Sequence, residues 1–332
     1  SNKDRLRPLW SSPGSSVTAL VEVVPGVIWF AARSGLMQVN LESASVSSVA
    51  SGGTEAGSLP NSLIYHMAKD RSGLLWLATI SDGMYTVDPA GTRFATLKYP
   101  EENGEPIGPN NVLGLFPAED ALWMGTMGDG LKRYEWASGK WSRYRTEVLR
   151  AFDIANIQRP VIVRSIADAG EGRLFFASQF GVATLDPASG SVEPLPALQN
   201  GAKIGAGTDS GPLLVTRSGT LWAGDRGNRI ARFDRMERKW QSTELVPGAD
   251  QANVTLSIFE DAAGKIWVGS LKGLHRVDPA KTSTRTFSHV AGDARSLTSS
   301  IVRSIYQSED GVMWIGTQAG LNRLDRADSE GA

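Results

Sequence analysis

The chain has 332 residues, with 34 basic against 35 acidic side chains, and it contains no cysteine. The near balance of charge argues against a basic stripe for nucleic acid and against a polybasic membrane surface. The missing thiols exclude disulfides, thiolate metal sites and cysteine nucleophiles. No apolar run approaches the roughly 20 residues needed to cross a bilayer. No signal peptide is read at the start. Ser1-Asn2 reads as an expression remnant, so the natural start is expected upstream.

From the N-terminus, Leu6-Arg7-Pro8-Leu9-Trp10 is an apolar piece that belongs to no repeat. After it, an aromatic in an apolar frame recurs along the chain. The copies are Ile28-Trp29-Phe30-Ala31, Leu75-Trp76-Leu77-Ala78, Leu122-Trp123-Met124-Gly125, Leu174-Phe175-Phe176-Ala177, Leu221-Trp222-Ala223-Gly224, Ile266-Trp267-Val268-Gly269 and Met313-Trp314-Ile315-Gly316. Successive aromatics are 47, 47, 52, 47, 45 and 47 residues apart. A fixed period in this range marks a repeat architecture, in which no unit buries its apolar faces alone.

The last repeat displays the unit most plainly. Ile301 to Tyr306 is rich in β-branched and aromatic residues and reads as a first strand. Glu309-Asp310-Gly311 turns, Val312 to Gly316 is a second strand, Gln318-Ala319-Gly320 turns again, and Leu321 to Leu324 is a third strand. In other repeats an Asp-Pro turn leads to a fourth strand, as at Asp88-Pro89 before Arg93 to Leu97 and at Asp278-Pro279 before Thr284 to Phe287. The expected fold class is therefore all-β, a seven-bladed β-propeller of four-stranded antiparallel blades. One domain is expected over 1–332, with blades at about 15–50, 61–99, 110–147, 160–198, 207–246, 253–290 and 299–325 plus 4–10.

Three regularities support this reading. The residue two after the aromatic is always Ala or Gly, as close approach of neighbouring backbones requires. The second strands are apolar at consecutive positions, as in sheets covered on both faces. A polar residue ends each third strand: Asn40, Asp88, Glu135, Asp186, Asp234, Asp278 and Asp325. These are expected to cap their own turns rather than form a catalytic or metal ring, because all share one repeat position. The last repeat lacks a fourth strand before the polar tail from Arg326. The N-terminal piece is expected to supply it, completing the last blade and removing exposed sheet edges. Pro8 fits there because an outermost strand donates to one side only.

No chemistry stands out. His66, His275 and His289 fall on a first, a third and a fourth strand of different repeats, and no pair has metal-ligand spacing. There is no G-x-S-x-G elbow. No catalytic residue, metal or cofactor is expected. What breaks the repeat is its loops. The second-to-third turns read Arg33-Ser34, Ser81-Asp82, Gly128-Asp129, Gln179-Phe180, Asp225-Arg226, Lys272 and Gln318. Variation on a repeated scaffold is how such folds acquire function. Arg33, Asp82, Asp129, Gln179, Phe180, Arg226, Lys272 and Gln318 are therefore the candidate ligand-binding residues, suited to a polar small molecule, oligosaccharide or peptide. The interblade loops are longer, and that from Val148 to Arg159 creates the 52-residue spacing. Its Leu149, Phe152 and Ile154 are expected to lid the central channel or to meet a partner.

The phrase Glu309-Asp310-Gly311-Val312-Met313-Trp314-Ile315-Gly316-Thr317, followed by Gly320-Leu321-Asn322-Arg323-Leu324-Asp325, resembles the two-component regulator propeller repeat. Gly264 to Gly269 with Gly273 to Pro279 is similar, as is Leu122 to Thr126 with Gly130-Leu131. The resemblance implies a non-catalytic periplasmic sensor region of a membrane-anchored bacterial signalling receptor. It also implies neighbouring sensor domains in the same receptor and a histidine kinase or diguanylate cyclase (GGDEF) output. The fifth repeat departs from the pattern, with Arg229 where Gly is expected, and there it resembles the streptogramin lyase propellers. An interaction scaffold and a propeller lyase are the alternative readings.

Overall fold

The computed structural model describes residues 5–325 except 13, 51–58, 60–61, 92–93, 98–100, 103–104, 107–110, 157, 198–203, 205–210, 226, 247–252 and 279–282. The β-branched and aromatic segments all form strands. In the first unit Ala19–Val24, Val27–Ala32, Gly35–Asn40 and Val46–Ala50 pair in sequence order, all antiparallel. Ile64–Lys69, Val112–Pro117, Val161–Gly170, Leu213–Val215, Thr255–Glu260 and Val302–Gln307 open six further units of the same plan.

Three units depart from the plan. The third and fourth are fused, because Ala121–Gly128 runs past its own hairpin and pairs Met127 with Ile162 and Gly128 with Val161. The seventh takes its fourth strand from the other end of the chain. Arg5–Trp10 runs antiparallel to Gly320–Asp325, with Leu6 opposite Leu324 and Pro8 opposite Asn322. Contacts between first strands pass from unit one to two and onward to seven, and the seventh touches the first again.

The core lies between units rather than at a centre. Each apolar cluster joins one unit to the next, and each holds one of the repeated aromatics. Trp123 packs with Val161, Val163 and Leu174, Trp267 with Val302 and Ile315, and Trp314 with Val17 and Ile28. The small residue beside each aromatic has a steric cause. A Cβ on Gly125 would lie 2.5 Å from the Val163 carbonyl oxygen, and one on Gly316 would lie 2.7 Å from Val17 Cγ1. Those distances are too short for any side chain, so Gly is enforced there.

The first turn of a unit anchors its indole. Trp76 Nε1 donates to Asp70 at 2.7 Å, Trp267 Nε1 to Asp261 at 2.6 Å, and Trp314 Nε1 to Ser308 Oγ at 3.0 Å. Burial pushes the Asp70 carboxyl up, but hydrogen bonds from Ser72, Trp76 and the Leu74 backbone outweigh it. The net effect holds the carboxyl below its ordinary range. The polar residues at third-strand ends act as turn caps. Asn40 Oδ1 accepts from the Glu42 and Ser43 amides, Asp88 Oδ1 from Ala90, and Asp234 Oδ1 from Met236 and Glu237.

The long interblade segment corrects an expectation. It forms the helix Arg145–Ala151, and Val148, Leu149 and Phe152 are buried in the cluster that joins the third and fourth units. Val148, Leu149 and Phe152 therefore fill an internal interface rather than forming a lid or partner surface. His289 also lies outside a strand, because the fourth strand Ser283–Phe287 ends before it.

Candidate functional site

The turns between second and third strands share a device. A hydroxyl three residues after the aromatic donates to a carbonyl across the turn and accepts the amide of a tip residue. Thr79 bridges Gly83 and Asp82, Thr126 bridges Gly130 and Asp129, and Ser178 bridges Gly181 and Phe180. Ser270 bridges Gly273 and Lys272, and Thr317 bridges Gly320 and Ala319. The first and fifth repeats have Ala32 and Asp225 at this position instead. The device is legible in the sequence as a Ser/Thr column three residues after the aromatic.

The candidate tip residues separate into groups. Arg33, Asp82 and Gln318 are exposed, and Lys272 is half-buried. Gln179 turns inward: its Oε1 accepts the Ile162 amide at 2.6 Å and its Nε2 donates to the Pro160 carbonyl at 2.5 Å. Phe180 is buried against Phe152, ring centroids 5.7 Å apart, with the Arg159 guanidinium 5.1 Å from its ring. Asp129 is only 3 % exposed. Its two carboxylate oxygens lie 3.1 Å from Lys132 Nζ and 2.9 Å from Arg143 Nε. Burial lowers the Lys132 ammonium against the opposing pull of Asp129. Asp129, Gln179 and Phe180 are thus structural members of the fused third and fourth units rather than solvated tips. Arg226 lies outside the described residues.

A cavity of about 300 Å³ is lined by all seven first strands. The side chains that reach it are set by a recurrent irregularity. In five first strands the register shifts at one residue near the strand start, between Ile64 and His66, Val112 and Gly114, Val163 and Ser165, Thr255 and Ser257, and Val302 and Ser304. The residues skipped are Tyr65, Leu113, Arg164, Leu256 and Arg303, and every one lines the cavity. A bulge re-aims a side chain that simple alternation would send elsewhere. Because Val302 pairs with Thr317, these strand starts are level with the second-to-third turns. The sequence signal is a column eleven residues before the aromatic, ten in the third repeat, whose identities vary within otherwise apolar strands.

The histidines do not converge. His66 lines the cavity, its Nδ1 buried without a hydrogen-bond partner, and burial pushes it down to about 4. His275 is also pushed down to about 4 by burial. It is locked between Ser270 Oγ at 2.8 Å from Nε2 and Thr286 Oγ1 at 2.9 Å from Nδ1. His289 Nδ1 bonds the Leu297 carbonyl at 2.7 Å. Among the described residues no three His, Cys, Asp or Glu side chains are grouped to hold a metal ion, and no helix is long and apolar enough to cross a membrane. The Arg229 of the fifth repeat pairs with Asp225 at 3.1 Å, so that departure from the repeat has a structural use.

Residues 58–81, 248–272 and 296–319 match the family model described as two component regulator propeller, and these stretches are repeats of that type. No curated protein matches the chain. Among solved structures, the chain is similar to the extracellular domain of BT4673 from B. thetaiotaomicron, described as a one component system. The two share 21% identity with a TM-score of 0.76, over 98% of this chain and 41% of that one. The extracellular domain of the hybrid two component system BT3049 from B. thetaiotaomicron is similar at 19% identity and a TM-score of 0.74, over 94% and 40% of the respective chains. A streptogramin B lyase structure is similar at 14% identity and a TM-score of 0.68, over 97% of each chain. The likeness shows a propeller-type fold. The chain spans about two fifths of the length of the two extracellular domains.

Proposed function

We propose that the chain is one seven-bladed propeller closed by its N-terminal strand, and that it is the non-catalytic, ligand-binding sensor region of a bacterial signal-transduction receptor. Its place is periplasmic, in a membrane-anchored protein with further sensor domains and a histidine kinase or diguanylate cyclase output. The three matched repeats and the fold shared with extracellular receptor domains support this reading. The cyclic contacts of the first strands and the pairing of Arg5–Trp10 with Gly320–Asp325 support the closed ring.

The ligand or adjacent domain docks on the face of the second-to-third turns. The observation that carries this is the exposure of Arg33, Asp82 and Gln318 at the repeat's variable position, level with the mouth of the axial cavity. The test places Arg33→Glu, Asp82→Lys and Gln318→Lys in the full receptor and reads its output. Signalling is expected to fall while the melting temperature of the propeller stays put. Signalling that survives these changes but fails on substitutions at the opposite Asp88 and Asp278 turns would put the sensing surface on the other side of the ring.

A further inference from the structure

The axial cavity has a one-sided chemistry. Among the described residues that line it are two guanidinium groups, Arg164 and Arg303, and no carboxylate. They come from the fourth and seventh first strands, three steps round the cycle one way and four the other. Each sits at the bulged position that turns its side chain inward. Arg164 Nη1 donates to the Tyr65 hydroxyl at 3.0 Å, and its guanidinium lies 6.0 Å from that ring, so it is held in place. Arg303 has neither an ion pair nor a hydrogen bond among the described residues, and its Nε is buried. His66 Nδ1 and Ser257 Oγ, also on the cavity wall, are likewise buried without partners.

Buried polar atoms normally have partners, yet the half-buried Arg303 keeps its Nε from both solvent and an acceptor. A structural explanation for Arg303 would need an acid nearby, as Asp129 serves Lys132 and Arg143 elsewhere in the same ring. Among the described residues the wall offers none. A guanidinium presents a planar fork that matches carboxylate, sulfate or phosphate oxygens. We infer that the axial cavity is a binding site for a small organic oxyanion, with Arg303 and Arg164 taking the charged group and Tyr65, His66 and Ser257 bonding its polar frame. A volume of about 300 Å³ is within the range of ligand pockets and admits an occupant the size of one sugar ring. The site is independent of the turn face, and either can fail without the other.

The test uses four probes of one size on the whole chain: glucuronate, glucose 6-sulfate, glucose 6-phosphate and neutral glucose, by titration calorimetry at fixed ionic strength. At least one anionic probe is expected to bind and glucose is not. Arg303→Met and Arg164→Met should each weaken that binding at least tenfold. Arg303→Lys keeps the charge but loses the fork, so it should weaken binding several-fold and keeps the test valid if a Met variant does not fold. Arg71→Glu, an exposed charge change at the turn after Ile64–Lys69, should leave it unchanged. Failure of all three anions to bind, equal binding of glucose, or undiminished affinity in the folded Arg303 variants would overturn the assignment.

Discussion

The second-to-third turn is the same element of the repeat in every unit, yet its tips meet different fates. In the first, second and seventh units Arg33, Asp82 and Gln318 face solvent, whereas in the third and fourth Asp129 and Phe180 are buried. The difference has two sources, an inserted helix and a neighbouring strand. The segment after the third unit folds as the helix Arg145–Ala151, and Phe152, just beyond it, meets Phe180. The strand Trp141–Arg143 brings Arg143 to Asp129. Equivalent repeat positions are therefore not equivalent chemically: covering a turn converts a variable surface residue into a core residue.

The sharpest way to break that comparison is at Asp129. Asp129→Ala leaves Lys132 and Arg143 facing each other without a counter-charge, and removing one partner of a buried pair costs about 3–5 kcal/mol. Urea denaturation measures it, and a loss as small as that at Arg33 would show the carboxylate to be solvated. Phe180→Ala should follow closely, at about 3 kcal/mol, from lost burial and the gap left beside Phe152. A double variant with Phe152→Ala should then fall short of additivity, because both rings fill one space.

The sixth turn is intermediate, and pH sharpens its case. Ser270 caps the Lys272 amide and also bonds His275, whose pKa lies at about 4 because of burial. With its folded value below the unfolded 6.5, the unfolded state binds the extra proton. The stability due to neutral His275 is thus complete above about 6.5 and is lost as pH falls from there to about 4. His275→Gln should flatten that part of the stability profile relative to the parent chain, and identical profiles would mean that the ring is already charged or exposed. His66 titrates over the same window and remains in both proteins.

The smallest effects belong to the exposed tips. Arg33→Glu and Gln318→Lys should each change stability by no more than about 0.5 kcal/mol, as surface substitutions do. A larger loss in thermal denaturation would mean that these turns, too, are covered.

The sequence by itself determined what repeats. A spacing near 47 residues gives the unit, and an aromatic with a small neighbour gives the contact between units. The small residue is dictated by backbone approach, as Gly125 and Gly316 show, and such a constraint recurs at every interface and so appears as a column. The pairing of Leu6 with Leu324 was legible for a similar reason, because a missing strand at one end and a spare apolar segment at the other have one mutual solution. Tertiary structure decided what does not repeat. Leu149 and Phe152 read as exposed because their partners are remote in sequence, and Asp129 read as a tip because Arg143 reaches it only across the fold. The cavity depends on bulges, which shift register by one residue and overrule the alternation from which a strand's faces are read. Arg164 and Arg303 are therefore ordinary strand residues in the sequence and become neighbours of one cavity only when the strands that carry them are brought around it.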